Sequence, residues 1–276
     1  MCGRYASTRS ADDLAEEFEV VEQVLAAPVE PDWNVAPTKS VPAVVVRPPR
    51  DRDDDGDHGT GQDGAEPGAS GPVRQLRSVT WGLVPFWAKD PSIGSRMINA
   101  RVETVAEKPA FRQAFAKRRC LLPADGYFEW YPTSQVGRGG KPVKQPFFIR
   151  PADGGVLAMA GLYEIWRDPD RADDDPERFR WTCTVITTSA EDSLGRIHDR
   201  MPMMVERERW ATWLDPTAEA DPAVLLVPAA PGALEAHPVS TAVGNVRNNG
   251  PSLVEPLPLT EVDDEVAASA LPGRRG

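Results

Sequence analysis

The sequence predicts an α+β protein with an antiparallel, curved or barrel-like β-sheet core and flanking helices. Candidate strands outnumber candidate helices and do not alternate regularly with them, which disfavours a doubly wound parallel sheet. The chain has 276 residues, of which 41% are hydrophobic, and this is enough to bury a sizeable core. No internal repeat and no linker divides it, so we expect a single domain over residues 2–260.

The first predicted element is a helix over residues 10–24, for which Ser10 is a suitable N-cap. Its apolar face, at helical spacing, comprises Leu14, Phe18 and Val21. Residues 41–46 and 73–81 predict two strands from their β-forming side chains. Residues 50–71 between them are rich in glycine and aspartate, which predicts a mobile surface loop that joins the two strands of a hairpin.

Later apolar and alternating segments predict the rest of the sheet. These strands are expected over residues 119–122, 126–130, 147–150, 156–166 and 181–187. Helices are expected over residues 108–117, 189–197 and 207–214. Pro109 fits the first turn of the first of these helices, where its missing N–H is not needed. Residues 261–276 are expected to form a disordered tail.

The net charge of −11 argues against nucleic-acid binding when it is taken over the whole chain. Its distribution weakens that argument. The segment 50–71 holds seven acidic and two basic residues, a local balance of −5. The segment 96–119 holds seven basic and two acidic residues, a balance of +5. Because much of the negative charge lies in predicted loops, a basic face that binds a polyanion stays open.

Composition also bounds the cellular context and the cofactors. No apolar run is long enough for a membrane span, and the N-terminus lacks a signal-peptide core, so we expect a cytoplasmic protein without a membrane partner. The three cysteines and three histidines lack metal-ligand spacing. We therefore expect neither a disulfide framework, nor a metal site, nor any other cofactor.

Cys2 is the most informative single residue. Removal of Met1 would leave a terminal cysteine with an amine and a thiol on adjacent carbons. An α-amine has a pKa of about 7.7–8.0, so roughly a tenth of it is unprotonated at neutral pH. Such an amine can form a Schiff base with an aldehyde, which the thiol can close to a thiazolidine. The same residue could instead be an amidohydrolase nucleophile, or merely a small residue without a chemical role.

Two further side chains are candidates for proton transfer. Glu129 lies between Phe128 and Trp130, and partial desolvation there would raise its pKa towards neutrality. The alternative is an outward-facing strand residue. His198 follows a predicted helix and precedes Pro202, which places it on a loop where it can act as an acid or a base. The alternative is a structural histidine at a helix end.

Polar and aromatic candidates for ligand contact complete the set. Asn99 and Arg101 are two residues apart, so an extended backbone places them on one face, where they could hold a carbonyl and a phosphate. An ordinary polar turn would also explain them. Pro37 and Trp87 lie in loop-like apolar segments and could stack on bases or wedge between them. Core or surface packing is the alternative for both.

Taken together, the motifs resemble those of the SOS response-associated peptidase (SRAP) family. They occur in the order of the family and cover the chain from Cys2 to about Leu257. The motifs are MCGRY at 1–5, WNVAPT at 33–38, WGLVPFW at 81–87, INARVET at 98–104, ADGYFEW at 124–130, KQPFF at 144–148, IHDRMP at 197–202 and HPVS at 237–240.

The resemblance implies a specific chemistry. A member of this family loses Met1 and links its terminal cysteine covalently, as a thiazolidine, to the aldehyde of an abasic site in single-stranded DNA. It therefore shields such sites, including those at replication forks. The matching catalytic positions are Cys2, Asn99, Glu129 and His198. The matching DNA contacts are Arg4, Asn34, Arg101 and Arg200, with Pro37 and Trp87 as wedges.

The implied partners are single-stranded DNA with abasic sites and replication-fork junctions, bound by a monomer that associates with the nucleoid. The resemblance also implies that the peptidase activity is the removal of Met1. Two other hypotheses stay open. One is a cysteine-dependent amidohydrolase or protease that uses Cys2 and His198. The other is a module that binds single-stranded DNA without covalent linkage.

Overall fold

The computed structural model describes residues 2–48, 71–137, 139–175, 177–190, 192–218, 221–230 and 232–258. The predicted loop at 50–71 and the predicted tail at 261–276 lie outside these residues, apart from Gly71. Among the described residues, no helix is long and apolar enough to cross a membrane.

Two β-sheets form the framework. In chain order the strands are β1 Tyr5–Ser7, β2 Glu22–Val24, β3 Asp32–Val35, β4 Ser40–Arg47, β5 Val73–Trp81, β6 Asn99–Arg101, β7 Arg119–Ala124, β8 Gly126–Val136, β9 Pro142–Pro151, β10 Leu157–Arg167, β11 Phe179–Ser189, β12 Arg200–Pro202 and β13 Leu234–Pro238. The α-helices are α1 Ala11–Glu17, α2 Arg112–Lys117, α3 Asp192–Gly195 and α4 Trp210–Leu214. Short 3-10 helices cover Pro91–Arg96, Arg207–Arg209, Pro222–Leu225, Thr241–Gly244 and Pro251–Leu253.

The larger sheet closes on itself. Its order is β12-β11-β10-β7-β4-β5-β2, and an additional pairing of β11 with β5 joins strands that are far apart in this order. Strands β5, β4, β7, β10 and β11 therefore form a closed five-stranded barrel. The smaller sheet has the order β13-β9-β8-β1-β3. The predicted α+β class with a barrel-like, mainly antiparallel sheet is confirmed.

Successive side chains of the barrel strands point to opposite faces of the sheet, and this divides the core into two parts. One set of side chains, such as Cys120 and Leu122 of β7, packs against the smaller sheet. The other set, such as Leu121, packs against the short helices together with Phe18 and Trp213. Cys2 belongs to the first set, so the N-terminal segment enters the core between the two sheets.

The predicted first helix is too long. Helix α1 ends at Glu17, and Glu19 adopts a positive φ of 52°, which breaks the helical path. The chain then forms β2, which pairs in parallel with β5. Leu14 and Phe18 are buried as expected, whereas Val21 is 74% exposed, so its assignment to the apolar face is wrong.

Other boundaries differ in the same way. The helix expected over 108–117 begins only at Arg112, so Pro109 precedes it. The helix expected over 189–197 is the single turn α3. The predicted pairing of the strands that flank the segment 50–71 is confirmed, since β4 and β5 are antiparallel with Arg47 opposite Val73.

Candidate active site at the N-terminal cysteine

Sheet pairing brings Cys2 to Glu129. Tyr5 lies opposite Tyr127, and the Phe128 N–H donates to the Arg4 carbonyl at 2.9 Å. Because the two strands are antiparallel, the residues before Tyr5 run alongside the residues after Tyr127, and the segment before β1 therefore approaches Glu129. Cys2 has no exposed surface, and burial together with the Glu129 charge raises the pKa of its thiol. The thiol is therefore protonated at neutral pH.

Asn99 fixes the backbone of the cysteine. Its Nδ2 donates to the Cys2 carbonyl oxygen at 2.7 Å. Strand β6 holds Asn99 in place by pairing in parallel with β11, with Asn99 opposite Val185. Within the described part of the chain, the buried Oδ1 atom of Asn99 has no hydrogen-bond partner. This oxygen is thus available to a hydroxyl or amine of a ligand.

Glu129 is a buried carboxyl group beside the cysteine. It is 3% exposed, and it shares a face of β8 with Tyr127, two residues earlier. Burial, the largest cause, raises its pKa to about 7. The group can therefore give up and accept a proton near neutral pH, as a general acid or base must.

His198 lies next to this carboxyl group. Its Nε2 is 3.9 Å from Glu129 Oε2. The Arg200 backbone N–H donates to Nδ1 at 3.0 Å, whereas the Asp199 carboxylate, 3.1 Å from the same nitrogen, is 87% exposed. Because the backbone donor is fixed and Asp199 is solvated, we assign Nδ1 as the acceptor and Nε2 as the protonated nitrogen. Burial lowers the pKa of His198, so the neutral ring prevails at neutral pH.

Two of the predicted DNA contacts instead lie in the protein interior. Asn34 has no exposed surface, and its amide donates to the carbonyls of Val243, Asn245 and Asn248 while its Oδ1 accepts from Arg4 at 2.6 Å. Asn34 thus orients Arg4, and a direct DNA contact of Asn34 stays a prediction.

Arg200 is similarly enclosed, with 9% exposure. Its guanidinium binds Glu103 through two nitrogens, at 2.5 and 3.1 Å, and donates to the Thr187 carbonyl at 2.6 Å. In this structure the guanidinium therefore binds a carboxylate, and its contact with a DNA phosphate stays a prediction. The ion pair joins the loop that follows β6 to strand β12. Asn99 lies on β6, and His198 lies just before β12.

The other predicted contact residues are accessible. Arg4 is half-buried, and its guanidinium lies 5.7 Å from the centre of the Trp130 ring. Arg101 is exposed at the end of β6. Pro37 is half-buried in the turn before β4, and Trp87 is 49% exposed in a separate turn.

The list of candidate residues omitted several neighbours of the site. Tyr127, Glu103 and Trp130 contribute through burial, an ion pair and a cation–π contact, respectively. All three lie within the motifs at 98–104 and 124–130, where only the two-residue spacing of Tyr127 and Glu129 indicates a shared face. Among the described residues, no three His, Cys, Asp or Glu side chains are grouped to hold a metal ion.

Comparison with known proteins now decides the family. The family described as SOS response associated peptidase (SRAP) matches residues 1–246. This chain belongs to the SRAP family. Its similarity to curated members extends over nearly the whole sequence. It is 34% identical to the abasic site processing protein YoqW of Bacillus subtilis, over 92% of this chain and 99% of that protein.

Members from other organisms match as well. Identity is 34% with the abasic site processing protein YedK of Escherichia coli, over 93% of this chain and 100% of that protein. Identity is 31% with the abasic site processing protein HMCES of Gallus gallus, over 98% of this chain and 82% of that protein. A crystal structure of a Bacteroides thetaiotaomicron protein shares the fold, with a TM-score of 0.69 and 24% identity over 93% of this chain and all of that one.

Proposed function

We propose that this SRAP protein links itself covalently to abasic sites in single-stranded DNA through Cys2, after Met1 is removed. The observation that carries the proposal is the convergence of Asn99, Glu129 and His198 around the N-terminal cysteine. The names of the related proteins support abasic-site processing as the general activity. Protein and DNA would meet in the cytoplasm, at the nucleoid.

The first step joins the Cys2 amine to the lesion. The amine lone pair attacks the C1′ aldehyde of the ring-opened sugar, and the resulting carbinolamine loses water to give a Schiff base. This loss requires a proton on the departing hydroxyl, and Glu129, with its pKa of about 7, would deliver it. The neutral His198 would assist opening of the sugar ring.

The second step closes the ring. The Cys2 sulfur bonds to the imine carbon, the carbon–nitrogen π electrons pass to nitrogen, and the thiol proton ends on that nitrogen. No oxidant or metal is consumed. Because the raised thiol pKa keeps sulfur protonated, Glu129 in its ionised form is the base that would accept and relay this proton.

A denaturing gel tests the proposal. Protein with a free N-terminal cysteine, verified by mass spectrometry, is mixed with single-stranded DNA that contains one abasic site. We expect a denaturation-resistant complex that intact DNA does not give. Cys2→Ser keeps the amine and loses the thiol, so its adduct should survive only after borohydride reduction. Cleavage of peptide substrates without any crosslink would favour the amidohydrolase, and binding without a crosslink would favour the non-covalent module.

A further inference from the structure

The hairpin of β8 and β9 extends away from the candidate active site. Strand β8 carries Glu129 near its start and continues to Val136, while β9 returns from Pro142. Pro132 lies opposite Lys144 in this ladder, and Val136 lies opposite Pro142. The outer part is solvated, since Val136 is 72% exposed and Lys144 is also exposed. The hairpin is therefore an arm rooted at the site.

The arm is basic in an acidic protein. Residues 130–145 contain three basic and no acidic residues, whereas the whole chain has a net charge of −11. Lys141 and Lys144 are exposed. Because no acidic residue lies in the segment 130–145, these two solvated ammonium groups create a local positive potential that suits a polyanion.

The position of Lys144 relates the arm to the chemistry. Burial is the main cause of the raised Glu129 pKa and of the lowered His198 pKa, and the Lys144 ammonium adds a smaller lowering to both. Its backbone partner Pro132 is three residues beyond Glu129, or about 10 Å along the strand at ~3.3 Å per residue. Lys144 is therefore near the strand that flanks a lesion bound at Cys2.

We propose that the β8–β9 arm binds the phosphate backbone of the DNA strand that flanks the lesion, through Lys141 and Lys144. The partner is the single strand of the proposed function, and hydrated ammonium groups on a flexible stem hold its phosphates as point charges without reading bases. The arm therefore raises the local concentration of the strand around Cys2 rather than taking part in bond formation. This inference rests on the proposed function for the identity of the lesion, although not for the binding of DNA.

The salt dependence of binding tests the arm. Each phosphate contact to a single strand contributes about −0.7 to the slope of log K against log salt. In Lys141→Ala/Lys144→Ala, the loss of two contacts reduces the magnitude of the slope by about 1.4. Between 50 and 200 mM salt, wild-type affinity for intact single-stranded DNA should thus fall about sevenfold more than that of the double variant. Lys141→Arg/Lys144→Arg should keep the wild-type slope.

The matched control removes a cation that is already paired with a carboxylate. Arg167 at the end of β10 is 56% exposed and pairs with Asp173, which is itself 83% exposed. Arg167→Ala should leave the slope unchanged. Equal slopes for the wild type and the double lysine variant, with both folded by circular dichroism, would overturn the proposal.

Crosslinking rates separate this inference from the proposed function. With an oligonucleotide that extends well beyond the abasic site, Lys141→Ala should react more slowly than the wild type at low salt. With a trinucleotide that has a central abasic site, the two proteins should react equally. Lys141 precedes Pro142, the partner of Val136, which is seven residues beyond Glu129, or about 23 Å along the strand at ~3.3 Å per residue. Equal slowing on both substrates would contradict the arm. Absence of any wild-type crosslink would refute the proposed function, and the binding slopes would still test the arm.

Discussion

At the residue scale, the site depends on placing ionisable groups in a dry environment. Glu129 and the Cys2 thiol both have raised pKa values, and burial is the main cause for each. His198 has a lowered pKa for the same reason. A neutral thiol, a neutral imidazole and a carboxyl group that titrates near 7 form a set that can exchange protons without carrying a large net charge. The polar contacts of Asn99 and Arg200 then fix the positions of these groups.

The raised pKa of Glu129 predicts a specific pH dependence of stability. In the unfolded chain the carboxyl group has its ordinary pKa of 4.5 and ionises above it, whereas the folded state keeps the group protonated up to about 7. The folded state therefore binds more protons in this window, and stability falls as pH rises from about 4.5 to about 7. Glu129→Gln should remove a fall of up to about 3 kcal/mol, measured by urea unfolding at the two ends of the window.

The same substitution predicts a loss of crosslinking. Glu129→Gln cannot exchange the proton, so the rate should fall by about 100-fold or more. The matched control is Glu164→Gln. Glu164 is another buried carboxyl group, lies on β10 and pairs with Arg118 at 2.8 Å. That variant should lose stability and keep the crosslinking rate per folded molecule. A Glu129→Gln rate close to that of the wild type would contradict the assigned role.

At the element scale, two short strands hold residues of the site in position. β6 and β12 have three residues each, and both pair with β11. The Arg200–Glu103 ion pair joins them at the end of β11, where Arg200 also binds the Thr187 carbonyl. Asn99 lies on β6 and His198 comes just before β12. The ion pair between these two segments therefore contributes to the relative position of Asn99 and His198.

The Arg200–Glu103 ion pair predicts the effect of Glu103→Gln. Arg200 keeps its Thr187 contact and loses the charge that faces it, so we expect a loss of about 1 kcal/mol of stability at neutral pH. The side chain of Glu103 is 48% exposed, which limits the effect by solvent screening. The hydrogen bond from Arg200 lowers the Glu103 pKa, so this contribution is present above about pH 4.5 and disappears as pH falls further. Urea unfolding at neutral and acidic pH measures it, and an equal loss at both pH values would contradict the ion-pair explanation.

The pairing of β8 with β1 and β9 requires a glycine at 126. A Cβ there would lie 2.6 Å from the Ile149 carbonyl oxygen and 2.4 Å from Phe148 Cζ. Gly126→Ala should therefore destabilise the protein by about 3 kcal/mol, since backbone must shift. Gly244→Ala is the control, because its Cβ would meet no atom within 4 Å. Comparable urea midpoints for the two variants would show that the smaller sheet can adjust.

At the scale of the whole molecule, charge and apolar surface are unevenly distributed. The net charge is −11, yet the described surface offers basic groups at the β8–β9 arm and around Arg112. Phe86, Trp87, Pro109, Arg112 and Gln113 line a surface cavity of about 420 Å³. Phe86 and Trp87 are 54% and 49% exposed. An exposed aromatic pair beside a cation fits stacking on a base or on the end of a duplex.

This surface predicts that Trp87→Ala weakens DNA binding without unfolding the protein. Loss of one stacked base costs about 1–3 kcal/mol, or a factor of about 5 to 160 in affinity for single-stranded or junction DNA. Stability should change by less than about 0.5 kcal/mol because the side chain is half-exposed. Fluorescence anisotropy and thermal unfolding measure the two effects. Val21→Ala, at an apolar residue with 74% exposure, is the control, and an equal effect of both variants on affinity would contradict stacking.

The sequence by itself determined the fold class and most strands, and it predicted Cys2 as the reactive group. Strand periodicity is local, so β5 was predicted with its observed bounds, Val73–Trp81. The terminal position of Cys2 after Met1 defines its chemistry without reference to the fold. Motif resemblance supplied Asn99, Glu129 and His198, whose convergence at one place agrees with the family to which the chain belongs.

Only the tertiary structure decided which polar side chains are accessible. Asn34 and Arg200 carry the same chemistry as exposed contact residues, and their burial results from pairing with carbonyls and a carboxylate that are distant in sequence. The early end of α1 has a similar origin, because Val21 donates to the Arg74 carbonyl and leads the chain into β2. Burial and long-range hydrogen bonds depend on which segments meet, and local residue patterns do not contain that information.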